Sequence, residues 1–242
     1  MELQSSDIEQ LEEILKVCKL AGIETLAIHK GIISGLSESQ NAAIIQKMKF
    51  SFDEDVSIGI QSTSELSKRF NVNGVNVLSA IDIKLPEKAA RNISFSTNNS
   101  KLTYRFCSIK NLVYAKENTD VDAAIIELSP VEIKSLISGV NSLSSNKYIF
   151  VSVERTGNVA ISSTDDNNDI FELKLNTPIS VLNEGKYSYS QKFDIKGKLL
   201  PLLSHVAKDN DRVAIVITDN ENLKIVINNI EVILIPAITS DD

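Results

Sequence analysis

The chain has 242 residues, 43% hydrophobic and 24% charged, with a formal net charge of -7. This length can bury one large core or two medium ones. No apolar run reaches the roughly 20 residues that cross a bilayer, and a nucleic-acid binder of this charge must gather its positive groups on one surface. The balance is ordinary for a globular protein. Met1 to Asp7 has neither the basic nor the apolar segment of a secretory signal. Cys18 and Cys107 lie far apart without metal-ligand spacing, and read as buried thiols in a reducing, cytoplasmic compartment.

Taken in order, the chain repeats one unit, a strand, a helix and three strands, at a period of roughly 50 residues. In the first copy Ser5, Ser6 or Asp7 suits a helix cap, Ile8, Leu11, Ile14, Leu15 and Cys18 form one stripe, and Gly22 ends the helix. Strands are predicted over 25–29, 32–37 and 42–52. The second copy follows Asp53-Glu54-Asp55, with a strand over 56–61, a short helix over 62–70 anchored by Leu66 and Phe70, and strands over 75–85, 91–96 and 101–107. The pattern lapses over 108–122, a connector in which Leu112-Val113-Tyr114 is an apolar plug.

The third copy opens with a strand over 123–128. Its helix starts at Ser129 with Pro130 in the first turn and Ile133, Leu136, Ile137, Val140 and Leu143 as its stripe. Strands over 147–154, 158–163 and 169–175 follow. In the fourth copy an extended run over 188–195 precedes a helix over 196–208 with Leu199, Leu202, Leu203 and Val206 buried. Val- and Ile-rich strands then span 212–218, 222–227 and 230–235, joined by Asp- and Asn-rich turns. The expected fold class is therefore α+β: two similar domains, 1–107 and 123–242, each a duplicated strand–helix–three-strand unit, joined by the connector.

The helix faces opposite the apolar stripes carry one sign of charge. Lys196, Lys198 and Lys208 accompany Ser204 and His205 on the fourth helix, Lys134 stands among serines on the third, and Lys68 and Arg69 mark the second. The first is mixed, Lys16 and Lys19 competing with Glu9, Glu12 and Glu13. Lysines spaced along a surface, without base-reading or stacking side chains, suit the backbone of duplex DNA.

At its end the chain resembles the DNA sliding clamps. Leu234-Ile235-Pro236-Ala237-Ile238 is similar to the Leu-Ala-Pro-Lys-Ile ending of the cellular clamps, followed here by the acidic Ser240-Asp241-Asp242, and Leu203-Ser204-His205-Val206 resembles their last helix. The duplicated architecture looks like the trimeric type: the proliferating cell nuclear antigen of eukaryotes and archaea, and the clamps of tailed phages, the lean loops suggesting the phage branch and thus a host cytoplasm. The resemblance implies a homotrimeric ring with helices inside and sheets outside. Such a ring has no active site and no cofactor; it encircles duplex DNA as a polymerase processivity factor and is opened by a clamp loader. It makes Lys16, Lys19, Lys68, Arg69, Lys134, Lys196, Lys198 and Lys208 the DNA-binding candidates. A pocket for a DNA polymerase C-terminal peptide is implied at Leu36, Leu112, Val113, Tyr114, Ile233, Ile235, Pro236 and Ala237. Subunit contacts are implied at Tyr104, Phe106, Phe171 and Leu173 on edge strands.

Two rivals remain open at this point. One is a monomeric processivity factor that holds DNA without encircling it. The other is a metal-dependent enzyme using Asp165-Asp166-Asn167-Asn168-Asp169, although that run lacks the glycine and terminal glutamate of a calcium loop and sits where a hairpin turn is due. No Gly-rich phosphate loop or nucleophile elbow accompanies His29 or His205.

Overall fold

The computed structural model describes residues 2–51, 53, 55–70, 78–84, 88–97, 99–115, 120–182, 188–194, 198–208, 212–227 and 229–237. The chain divides into two compact units, 1–39 with 43–118 and 40–42 with 119–242.

The first unit begins with α1 (Ser5–Ala21), followed by β1 (Thr25–His29), β2 (Ile32–Leu36), β3 (Ala42–Lys47) and β4 (Ile58–Ile60). It continues with α2 (Thr63–Phe70), β5 (Leu78–Lys84), β6 (Ala89–Ser96), β7 (Lys101–Arg105) and one 3-10 turn, Ile109–Asn111. Helix α1 is capped by Gln4 rather than by Ser5, Ser6 or Asp7. Asp7 instead sits at the third helical position, where its carboxylate accepts from Gln4 N at 3.1 Å and from Ser51 N at 2.8 Å. That second bond explains why β3 ends at Lys47 and not at 52: the chain leaves the ladder so that Ser51 can close on the helix start. Gly22, at φ 66, ends α1 in the left-handed conformation that glycine adopts without strain. The short α2 forms on little apolar support because tertiary contacts supply the rest. Leu66 and Phe70 are buried, Thr63 Oγ1 donates to Ile23 O at 2.7 Å, and Phe70 meets the Phe95 ring edge-on at 4.8 Å.

The second unit contains β8 (Asp122–Leu128), α3 (Pro130–Ser142), β9 (Tyr148–Val153), β10 (Val159–Thr164) and β11 (Ile170–Lys174). Then come β12 (Ser180–Val181), β13 (Tyr189–Asp194), α4 (Leu199–Val206), β14 (Val213–Thr218), β15 (Leu223–Ile227) and β16 (Ile230–Leu234). Helix α3 starts as expected with Pro130 in its first turn and adds a capping box, Ser129 Oγ accepting from Glu132 N and Glu132 Oε2 accepting from Ser129 N at 2.8 Å. The two-residue β12, which pairs Val181 with Ala124 of β8, is not anticipated by the sequence pattern because so short a strand carries no period.

Three of the four copies lend their opening strand to the other copy of their unit. In the first unit the order β3-β2-β1 continues into β4, which belongs to the second copy, through Leu26↔Ile60 and Ile28↔Ile58. The first copy lacks a full opening strand, yet Glu2 still bridges Ala80 in β5. In the second unit β8 of the third copy pairs with β14 of the fourth, and β13 of the fourth with β9 of the third. The helices pair within units, α1 with α2 and α3 with α4.

Two glycines permit close approach. A Cβ on Gly139 of α3 would lie 2.0 Å from the Phe171 ring of β11. One on Gly59 of β4 would lie 2.4 Å from the Cys107 carbonyl oxygen, a backbone atom held in place because Cys107 N donates to Gly59 O at 2.9 Å. Gly59→Ala is therefore expected to destabilise the first unit by about 1–3 kcal/mol. Urea denaturation checks this, and an unchanged midpoint would refute the close packing.

Candidate functional site

The helix faces come first. Lys16, Lys19, Lys68, Lys134 and Lys208 are all exposed, so every helix shows cationic side chains to solvent on or just beyond it. Lys16 shares its charge with Glu13 at 3.7 Å. Lys19, Lys68, Lys134 and Lys208 make no ion pair among the described residues. The acids of α2 and α3 are engaged: Glu65 pairs with Arg69 at 3.5 Å, and Glu132 is drawn into the cap of α3. Burial alone would raise the Glu132 pKa, but its bonds from Ser129 and Asn176 hold it below the ordinary value. Lys134 and Lys208 also flank a groove of about 370 Å3 between α3 and α4, floored by Pro130, Val131, Ile133 and Ile137.

Three expectations for this face are corrected or fall outside it. Lys198 is 8% exposed, and its ammonium donates to the Asn41 side chain. It lies at the N-cap of α4 with φ -121 and ψ -63, where the helical period no longer sets side-chain direction. Arg69 is half-buried, donates to Glu65 O at 2.8 Å and stacks 5.2 Å above the Tyr104 ring, so it braces α2 on β7. Lys196 lies outside the described residues.

The expected pocket residues fall in both units. In the first, segment 112–115 is tied over β1 and β2 by side-chain bonds to its carbonyls, from Thr25 Oγ1 to Val113 O at 3.3 Å and from Ser34 to Ala115 O. Val113 is exposed, whereas Leu36, Leu112 and Tyr114 are half-buried. A cavity of about 190 Å3 opens there, lined by Tyr114 together with Ala27, His29, Lys30, Ile32 and Ala115. Of these, Tyr114 alone belongs to the pocket expected from the sequence. In the second unit Ile233 is buried in β16. Ile235, Pro236 and Ala237 are half-buried, and their backbone is held by Ile235 N to Asn41 O at 3.0 Å and Ala237 N to Lys192 O at 2.8 Å.

The edge strands differ from expectation in which side chains they present. Tyr104 is 5% exposed, and its hydroxyl lies 3.1 Å from Ser62 N and 3.2 Å from Ser62 O, so it belongs to the packing of β7 on α2. Burial raises its pKa. Phe106 meets the Tyr104 ring edge-on at 5.8 Å, and Phe171 packs over Gly139, with Leu173 half-buried beside it on β11. What β7 offers outward is Lys101, Leu102, Thr103 and Arg105; β11 offers Ile170, Glu172 and Lys174. Strand alternation from the buried Tyr104 would have found Thr103 and Arg105, but not Leu102, which shares the Tyr104 parity.

The acidic run at 165–169 closes the hairpin between β10 and β11. Asp165 Oδ1 accepts from Asn167 N at 2.8 Å and Asp169 N at 3.0 Å, and Oδ2 from Ser144 Oγ at 3.0 Å. Burial pushes its pKa up, yet these donors bring it below the ordinary value. The carboxylate is spent on its own turn. No group of His, Cys, Asp and Glu able to hold a metal occurs among the described residues. Cys18 and Cys107 are free thiols, and burial pushes Cys18 far above its usual range. No helix among the described residues is long and apolar enough to cross a membrane.

No protein-family model matches the sequence, and no curated protein matches it. Solved structures do match. The crystal structure of proliferating cellular nuclear antigen from Entamoeba histolytica aligns with a TM-score of 0.61 at 15% identity, covering 98% of this chain and 98% of that one. At that identity the likeness is one of fold, and this chain has the fold of that antigen across nearly its whole length.

The far end of the connector has its own anchor in the second unit. Asp120 accepts from Asn222 Nδ2 and Asn220 Nδ2, both at 2.7 Å, and from Thr218 Oγ1 at 3.1 Å. Burial raises its pKa, but these bonds outweigh it and hold the folded pKa below the ordinary aspartate value. A depressed carboxyl pKa gives stability that is fully present above the unfolded pKa and lost as pH falls through the folded one. The stability difference between wild type and Asp120→Ala should therefore stay constant from neutral pH to the ordinary aspartate range and shrink below it. Denaturation at a series of pH values checks this; a difference independent of pH would refute the anchor.

Proposed function

We infer that this protein is a DNA sliding clamp. The observation that carries the reading is the recurrence of exposed lysine on, or for α4 just beyond, each of the four duplicated helices of a chain whose net charge is -7. The fold shared with the Entamoeba antigen supports the same reading. Three copies close head to tail into a ring, the helices turned toward duplex DNA and the sheets outward. The contacts run through Lys19, Lys68, Lys134 and Lys208, with Lys16 in a lesser part. They neutralise phosphates and touch no bases, so the ring is held on DNA and is free to slide. It acts as a processivity factor that tethers a polymerase, is opened by a clamp loader, resides in the cytoplasm and performs no chemistry of its own. A phage source has no support in the comparisons.

Ring closure pairs β7 of one copy with β11 of the next. That pairing satisfies two open ladder edges and sets Lys101 and Arg105 against Asp169 and Glu172. Leu102 and Phe106 then meet Phe171 and Leu173.

Light scattering at micromolar concentration should give a mass near three subunits, and Lys101→Glu with Arg105→Glu should shift it toward one. A clean wild-type monomer would replace the ring by a factor that binds one face of DNA. Lys68→Glu, Lys134→Glu and Lys208→Glu together should leave that mass unchanged, shorten processive synthesis and flatten the salt dependence of DNA retention. The flattening should be about one unit of log–log slope for each phosphate that is no longer neutralised. Unaltered retention would refute the helix-face assignment.

A further inference from the structure

The groove between α3 and α4 combines an apolar floor with a cationic rim. Pro130, Ile133, Lys134 and Ile137 form its α3 wall at helical spacing, with Val131 beside them, and Ser204, Ala207 and Lys208 form the α4 wall. Its volume of about 370 Å3 lies in the range of small-molecule sites, and its lining is mainly apolar, as theirs is. Ile133 is buried and Ile137 half-buried, whereas Val131 is 74% exposed and offers an uncovered apolar surface at the entrance. Lys134 and Lys208 are exposed and make no ion pair among the described residues. The acids of the two helices do not neutralise them. Glu132 Oε2 is taken by Ser129 N at 2.8 Å and Ser129 Oγ at 2.7 Å, and α4 carries no acid. At the α4 end, Ala207 N donates to Leu203 O at 2.9 Å and Lys208 N to His205 O at 3.4 Å, so the backbone that carries Lys208 stays with the helix.

We propose that this groove binds a small amphipathic anion, an aromatic or aliphatic carboxylate whose apolar body lies on Val131, Ile133, Ile137 and Ala207 while its carboxylate meets Lys134 and Lys208. Charge complementarity and shape select this occupant together. A phosphate has no apolar body, so it would use the lysines and leave the floor uncovered. A neutral or cationic molecule of the same size would cover the floor and leave two ammonium groups unmatched or repelled. The Ser204 hydroxyl, half-buried in the α4 wall, gives a carboxylate one further donor. The proposal goes beyond the clamp reading. In the ring inferred above, the same two lysines contact phosphate, so this ligand and DNA would exclude one another there.

The test is a titration of the full chain, labelled at isoleucine δ1 methyls, with 2-naphthoate. The neutral 2-naphthalenemethanol, the cationic 2-naphthylmethylammonium and inorganic phosphate are run in parallel. The Ile133 and Ile137 methyls should shift saturably with 2-naphthoate, more weakly with the alcohol, and not with the ammonium or with phosphate. Raising the salt should weaken the carboxylate alone. Lys134→Gln with Lys208→Gln should weaken 2-naphthoate by about tenfold, as two partly exposed charge contacts allow, and leave the alcohol unchanged. Both lysines are exposed, so the isoleucine methyls outside the groove should stay in place and report an intact fold. No shift at Ile133 and Ile137, shifts spread evenly over all isoleucines, equal binding of the ammonium, the alcohol or phosphate, or full binding by the double variant would each overturn the site. The titration needs neither DNA nor a ring. Its failure leaves the clamp reading standing, and failure of the mass and retention experiments leaves the ligand result standing.

Discussion

The exchange of opening strands is the constraint on which the rest of the structure depends. A single copy, closed on itself, would leave the leading edge of its sheet unpaired, and an unpaired edge is a template for unwanted association. Here β4 completes the sheet of the first copy, and β8 and β13 cross in opposite senses between the third and fourth. Duplication is thus built into the hydrogen bonding and is not merely a record of ancestry. Because the helix of each copy follows its opening strand directly, the exchange also brings the helices together in pairs, α1 with α2 and α3 with α4. Even the degenerate first copy keeps the rule, with Glu2 bridging Ala80 where a strand would lie.

A second regularity concerns where the negative charge has gone. Several of the carboxylates are already engaged by the chain's own groups. Asp7 joins the start of α1 to Ser51, Glu132 caps α3, Asp165 closes a hairpin, Asp120 gathers three side chains, and Asp53 and Asp55 share Lys88. Such carboxylates gain charge-assisted hydrogen bonds that exposed ones lack. On α3 the one acid, Glu132, is drawn into the cap, and α4 carries none, so Lys134 and Lys208 have no close opponent among the described residues. An acidic chain can in this way present a cationic surface, because local sign is set by which charges are already bonded and not by the total.

How much of this the sequence discloses follows from what each feature depends on. Strands such as β1 and β10 are legible because alternation and turn chemistry are local, and α3 because Ser129, Pro130 and Glu132 write out a cap. Errors arise where a partner distant in sequence decides. Lys198 reads as part of a helical face, but the helix starts one residue later and Asn41 takes its ammonium. Tyr104 reads as an edge contact, since an apolar residue on an edge strand has two faces and alternation does not say which is covered; Ser62 and Arg69 do. The cavity under Tyr114 escapes a sequence reading because its walls come from a hairpin and a connector some 80 residues apart, joined through Ser34 and Ala115 (|i−j| of 81).

Two of the sheet edges among the described strands, β7 and β11, are the remaining step. β7 and β11 each end a sheet of their unit, and no described strand covers the outer side of either. They are not equivalent. β7 displays Lys101 and Arg105, while β11, with the turn before it, displays Asp169 and Glu172, Lys174 lying 3.2 Å from Glu172. Like edges of two copies would bring like charges together, whereas unlike edges bring opposite ones, and only the second arrangement also repeats from copy to copy. The proposed head-to-tail ring would use this asymmetry, and such contact ends without free edges only if the rotation closes. In the ring proposed above, the logic that pairs opening strands inside each unit would operate between chains as well: backbone ladders want partners, and the charge pattern would decide which.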